Sequence, residues 1–322
     1  MAGNQVAVQV PKAGPRAGQG PTVRTHTAGR SALRQDLIGW AFALPFVVIF
    51  AVFLAAPVAA SMVLSFTDFG LRDLRNPIGV DFIGLQNYAA LLADGRFWTS
   101  LFNTAYFVVV GVPLTIILGL AAALALDRGI NKFRTLFRVG YYLPVVTSIV
   151  AIAVVWRFVL NPDLGLINMA LAAIGIDGPN WLGNPALAMP SIIAMAAWRN
   201  LGFSMIVFIA GLQAVPRSLY EAAAIDGANR WASFRHVTLP LLRPTILFVV
   251  VISTIGYLQL FEEPFVMTDG GPLDRTLSVS MYMFEQGFKF FHQGYAAAIA
   301  WVLFLIVGAI AFIQFRVLRS EA

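Results

Sequence analysis

The sequence predicts an all-α membrane protein with six membrane-crossing helices. Three observations carry this. Only 12% of the 322 residues are charged and 59% are hydrophobic, whereas soluble domains run near 25% charged. Six nearly uncharged runs punctuate the chain, and crossing roughly 30 Å of hydrocarbon takes about 20 helical residues. At these lengths only helices satisfy their own backbone groups in lipid.

Taken in order, residues 1–35 are rich in Gly, Pro, Ala, Thr and Arg and show no apolar periodicity. That composition predicts a disordered basic cytoplasmic tail. Residues 36–96 hold the first span, Leu37–Phe66, and an outer loop. Within that loop Tyr88–Leu92 is amphipathic and predicts a short interfacial helix. Residues 97–316 form the core. Its apolar runs are Phe97–Leu126, Val139–Trp156, Leu187–Ala214, Thr245–Phe261 and Gln293–Phe315. The short third and fifth runs can be lengthened by flanking residues and snorkelling ends. Residues 317–322 are a cytoplasmic C-terminus. Small residues such as Gly111, Gly119, Gly202 and Gly211 stud the spans, and in lipid they let helices approach closely.

Charge sets the expected orientation. With the N-terminus inside, fifteen Lys and Arg fall on inner segments against five outside: Arg72, Arg75, Arg96, Arg275 and Lys289. Arg157 and Arg199 account for the remaining two of 22. The positive-inside rule then places both termini in the cytoplasm. The net charge of +6 reads as this bias plus attraction to anionic headgroups, so no nucleic-acid partner is expected.

The most informative stretch is a polar island at residues 216–244 between two apolar runs. Ser218 and Glu221 have the spacing of a capping box that opens a short helix. Gly227 suits the left-handed residue that ends it. A second short helix over about Arg230–His236 is expected to stop at Leu239-Pro240. The product is a compact elbow, which faces the cytoplasm in the orientation above.

Glu221-Ala222-Ala223, Asp226-Gly227, then Val237 and Leu239-Pro240 resemble the EAA loop in the transmembrane subunits of ATP-binding-cassette importers. More narrowly, the chain resembles the sugar permeases of binding-protein-dependent uptake systems. Asn103-Thr104 at the head of a span, Leu143-Pro144-Val145-Val146, Asn161-Pro162-Asp163 and Thr268-Asp269-Gly270-Gly271-Pro272 agree, and the likeness runs from about Ile38 to the C-terminus. It implies a MetI-like, type I importer fold in a bacterial cytoplasmic membrane. It also implies docking of Glu221, Ala222, Ala223, Asp226, Gly227, Leu239 and Pro240 on an ATPase. The implied partners are a second permease subunit, a dimer of ATPase subunits holding ATP and Mg²⁺, an extracytoplasmic solute-binding protein, the lipid bilayer and a sugar substrate. Thr268, Gly270, Gly271 and Pro272 would face the binding protein. Glycerol-phosphate compounds are the alternative cargo, since related permeases carry them.

The residues also narrow the function class. No Gly-rich phosphate loop ending in Gly-Lys-Ser/Thr occurs, so the chain itself holds no ATP and no cofactor is expected in it. Cysteine is absent, and His26, His236 and His292 lie on the tail and loops, so no metal-ligand or nucleophile–base pattern is formed. Neither a selectivity filter nor an arginine-repeat voltage helix appears, and no mid-span Asp could relay protons. An enzyme, a channel and a proton-driven pump are thereby disfavoured.

Arg199, near mid-span beside Trp198 and Asn200, costs about 2.5–3.5 kcal/mol at the bilayer centre and so needs a partner or a watery cavity. Trp198, Arg199 and Asn200, with Tyr257, Gln259, Glu262 and Glu263 at the outer end of the fifth span, are the candidate substrate-pathway residues. For Arg199 a structural salt bridge or a snorkelling side chain is an equal reading, and for Tyr257 and Gln259 helix–helix hydrogen bonding is the first reading.

Overall fold

The computed structural model describes residues 30–73, 80–128 and 134–319. Residues 1–29 of the expected tail lie outside this range. Two compact units divide the chain at Val58 and Ala59. The first contains helix α1 (Arg30–Phe50), a π-turn at Ala51–Ala55, and the beginning of α2 (Ala56–Leu64). Helix α1 begins inside the segment expected to be tail, because Ala32, Leu33, Arg34 and Gln35 are good helix formers. The stretch Gly39–Leu64 is apolar and long enough to cross a membrane.

The second unit continues with α3 (Gln86–Ala93), α4 (Gly95–Arg128), α5 (Arg134–Val146), α6 (Ile149–Val159), α7 (Leu166–Ala172) and α8 (Ala188–Gln213). Three short helices, α9 (Arg217–Ile225), α10 (Arg230–Ser233) and α11 (Leu239–Leu241), precede α12 (Arg243–Leu258). Helices α13 (Glu262–Met267), α14 (Val279–Phe284) and α15 (Gln293–Arg319) complete the chain. The described residues hold only helices, turns and one isolated bridge, Thr67 to Phe82.

Four helices have membrane-crossing length and hydropathy, and two bent pairs raise the number to six. The third span is therefore not the single rod expected over Val139–Trp156. It breaks between α5 and α6 with a bend of 102°. Pro144 cannot donate to the carbonyl four residues back, which weakens the turn. Thr147 Oγ1 then donates to the Leu143 carbonyl at 2.9 Å, and Ser148 turns extended at ψ 127°.

The stop expected at Leu239-Pro240 is likewise displaced. The chain passes Pro240 through a π-turn at Phe234–Thr238 and breaks at Leu242, just before Arg243-Pro244. The bend into α12 is 65°. Both this π-turn and that at Ala51–Ala55 end two residues before a proline. A proline ring crowds the carbonyl four residues back, and widening the helix to i→i+5 bonding accommodates it.

Helix α8 is the central strut. Its apolar window is 61% buried, against 33% for α4 and 22% for α15. It packs on α4, α5 and α12. Two glycines explain how closely these helices meet. A Cβ at Gly202 would lie 2.1 Å from the Tyr141 carbonyl oxygen of α5. A Cβ at Gly111 of α4 would lie 2.9 Å from the Tyr257 ring of α12. The short helix expected over Tyr88–Leu92 forms as α3, starting two residues earlier and ending one later. Its Asn87 amide donates to the Ser65 and Thr67 carbonyls at 2.9 and 2.8 Å, which ties α3 to the chain leaving α2.

Candidate functional site

Three constellations lie along α12. The first is the elbow before it. Helix α9 starts at Arg217 behind Pro216, and no side-chain cap forms. The expected capping box of Ser218 and Glu221 is thus not made. Pro216 holds the entry at φ −60° and ψ 131°, so Ser218 falls inside the first turn rather than before it. Gly227 does end the helix in the left-handed region, at φ 79°. The Ala228 N–H reaches the Ala223 carbonyl at 2.9 Å and the Gly227 N–H that of Ala224 at 3.1 Å, a Schellman closure. Asn229 then caps α10 by accepting from the Ala232 N–H at 2.8 Å. Glu221, Ala222, Asp226, Gly227 and Leu239 are exposed, while Ala223 and Pro240 are half-buried. Tyr220 and Thr238 share a hydroxyl–hydroxyl bond of 3.0 Å between the two arms.

The second is a cavity of about 370 Å³. It is lined by Arg199, Asn200, Tyr257, Gln259, Glu262 and Glu263, with Phe107, Ile149 and Phe203 among the apolar walls. Six of the seven pathway residues read from the sequence thus meet around one space. Trp198 instead meets Trp156 in a tilted ring contact, centroids 5.6 Å apart and planes inclined by 55°. Three consecutive helical residues point about 100° apart, so they cannot all face one cavity. The Arg199 Nε is buried without a hydrogen-bond partner among the described residues. Glu263 is only 7% exposed. Asn200 and Tyr257 also serve packing. Asn200 Nδ2 donates to the Tyr257 hydroxyl at 3.3 Å, and that hydroxyl bonds Thr115 Oγ1 at 2.7 Å, linking α8, α12 and α4.

The third is the loop after α13. Thr268 and Thr276 hydroxyls bond at 2.7 Å, and Thr276 donates to the Gly271 carbonyl at 2.8 Å. Asn103 of α4 donates to the Asp274 and Leu277 carbonyls at 2.7 and 3.0 Å, and Thr104 accepts from the Val279 N–H at 3.1 Å. Arg96 holds Asp274 with two donors at 3.0 and 3.1 Å. Within this clasp Asp269, Gly270, Leu273 and Asp274 all sit at positive φ. Non-glycine residues there carry strain that the surroundings must hold.

Nearby, Asp94 accepts the hydroxyls of Tyr282 and Tyr295. Burial alone would raise its pKa. The two hydroxyls and the N–H groups of Arg96 and Phe97 outweigh it and hold the carboxyl below its usual range. Burial, then the bond to Asp94, pushes the Tyr282 hydroxyl up to about 12.

Residues 111–320 match the family described as the binding-protein-dependent transport system inner membrane component. The chain belongs to this family.

This transport-system component has well-matched relatives. It is 38% identical over 303 residues to the lactose transport system permease protein LacF of Rhizobium radiobacter, covering 92% of this chain and 99% of that protein. It is 34% identical over 281 residues to the arabinooligosaccharides transport system permease protein AraP of Bacillus subtilis, covering 87% and 88%. Among solved structures, a bacterial ABC transporter involved in the import of the acidic polysaccharide alginate superposes with a TM-score of 0.76 at 26% identity. That match covers 90% of this chain and 98% of that one.

Some residues of this inner membrane component were not legible in its sequence. Trp231 is 68% exposed on the elbow and does not belong to the EAA pattern. Asn103 was visible as the head of a span, but its grip on a loop 171 residues away was not. Arg96 likewise reads as a surface charge until Asp274 is brought to it.

Proposed function

We propose that the chain is one permease subunit of an ATP-driven sugar importer. It pairs with a second permease subunit, receives two ATPase subunits at the elbow, and takes sugar from a solute-binding protein near Thr268, Gly270, Gly271 and Pro272. ATP and Mg²⁺ belong to the ATPase subunits. The observation that carries this reading is the order along α12: a solvent-exposed elbow at its start, a polar cavity beside it, and a clasped loop beyond its end. The lysine and arginine bias supports an elbow in the cytoplasm and both termini inside.

The relatives named for lactose and arabinooligosaccharides support a sugar, and the cavity chemistry fits one. Arg199 offers donors, Glu262 and Glu263 offer acceptors, and Asn200 and Gln259 offer both. A hydroxyl can use either kind. A phosphate would meet two carboxylates beside the single arginine, which sets glycerol phosphates second. Movement of the ATPases is transmitted through Glu221, Ala222, Ala223, Asp226 and Gly227 on the near arm and Leu239-Pro240 on the far one. Differential contacts in two states then alternate the access of the cavity.

The test is purification of the chain with a second permease subunit, an ATPase and a solute-binding protein, followed by uptake into proteoliposomes. Glu221→Ala and Gly227→Asp are expected to leave the protein inserted but abolish stimulation of ATP hydrolysis by loaded binding protein. Undiminished stimulation and uptake in both variants would refute docking at the elbow.

A further inference from the structure

We infer that Tyr220 and Thr238 are positioning residues that stiffen the elbow, so that motion at Glu221 reaches α12 instead of being lost in bending. The inference rests on the importer reading above and concerns how tightly transport follows ATP hydrolysis.

Helix α9 has no buried residue, and its neighbours are α10 and the π-turn at Phe234–Thr238. Behind it lies a cavity of about 510 Å³, lined by Asp127, Gln213, Arg217, Tyr220, Arg230 and Ser233. Among the described residues this arm is backed by an open cleft and not by a close-packed core, which is what transmits displacement in protein interiors, so it has room to rock. The far arm is interrupted too, by a π-turn, a form that is rare and frequent at functional sites.

Across this soft joint the Tyr220 side chain spans from the residue just before Glu221 to Thr238, hydroxyl to hydroxyl at 3.0 Å. Thr238 is 0% exposed and is the last residue of the π-turn, immediately before Leu239-Pro240. A push on the Glu221 face therefore has a direct route through a rigid ring into the segment that leads to α12. Helix α12 in turn supplies Ile252, Ser253, Gly256, Tyr257 and the following Gln259 to the upper cavity.

The experiment compares Tyr220→Phe, Thr238→Val, the double variant and Thr238→Ser in the complete importer in proteoliposomes. Sugar transported and ATP hydrolysed are measured together, and their ratio is the readout. Each of Tyr220→Phe and Thr238→Val is expected to lower the ratio about fivefold, the change expected from losing one ordinary hydrogen bond. The Thr238 hydroxyl also donates to the Ser233 carbonyl at 3.4 Å, so the double variant is expected to be no worse than Thr238→Val, which already removes the shared bond. Thr238→Ser keeps the hydroxyl and is expected to keep the wild-type ratio. A constant ratio, with uptake and hydrolysis falling in parallel, would mean fewer folded complexes and would overturn the inference. So would additive losses in the double variant. Failure of the wild-type chain to bring an ATPase with it would instead sink the importer reading itself.

Discussion

Gly202 is where the geometry makes its sharpest demand on the sequence. An alanine Cβ there would stand 2.1 Å from the Tyr141 carbonyl oxygen, 2.7 Å from its carbon and 2.8 Å from the Tyr142 Cα. Carbon and oxygen meet without penalty at about 3.3 Å, so the two helices would have to part by about 1 Å. The obstruction is backbone, not the tip of a side chain that could swing away. Overpacking of this kind costs about 1–3 kcal/mol. At about 2.1 cal/mol/K of unfolding entropy per residue, a chain of this size would melt lower by about 2–5 °C. The displaced helix, α8, also carries Arg199 and Asn200 into the cavity, so uptake should fall further than the amount of folded protein does. The assay is thermal unfolding in detergent, followed by monodispersity on gel filtration, with uptake normalised to folded protein. Gly140→Ala on the same α5 is the control. No atom lies within 4 Å of its added Cβ, and alanine favours helix by about 1 kcal/mol over glycine. A Gly202→Ala protein that melts within about 1 °C of wild type, where one degree is about 0.6 kcal/mol, would refute the close crossing of α5 and α8.

Arg199→Ala is expected to insert normally, with its mid-span insertion cost of about 2.5–3.5 kcal/mol removed, yet to lose most uptake. Wild-type uptake would remove Arg199 from the pathway. Asn103→Ala strips donors from the Asp274 and Leu277 carbonyls, at about 1–3 kcal/mol for each buried group left unpaired. Hydrogen exchange over residues 268–279 should quicken, and unchanged exchange would show that the loop holds without Asn103. Asp94→Asn should destabilise the protein by the same amount across neutral and mildly acid pH. A carboxyl depressed by Tyr282 and Tyr295 contributes fully above its unfolded pKa of about 3.9 and loses that contribution only as pH falls below it. A gap between variant and wild type that closes between about pH 5 and 7 would contradict that depressed value.

Elements whose cause is local were legible in the chain. Gly227 marked a helix end because a left-handed residue is needed wherever a Schellman closure forms, and the apolar runs marked spans because lipid leaves the backbone no other partner. The near-miss at Ser218 is also local. A capping-box pattern and a proline entry compete for the same helix start, and the spacing of Ser218 and Glu221 does not say that Pro216 prevails. The π-turn before Pro240 shows the limit from the other side. Proline announced a disruption, but whether the chain stops or widens depends on what the turn packs against.

What the sequence determined by itself was the kind of object: an all-helical membrane protein whose one polar elbow interrupts its apolar runs, with Arg199 too costly to sit in lipid. Those follow from solvation and backbone bonding, which act residue by residue. Only the tertiary structure decided which pathway candidates share a cavity, that Trp198 turns away to Trp156, that Asn103 and Arg96 grip Asp274, and that Tyr220 reaches Thr238. Each of these depends on the angle and closeness at which distant helices cross. Those quantities are set by all the packed surfaces together, and no single stretch of chain encodes them.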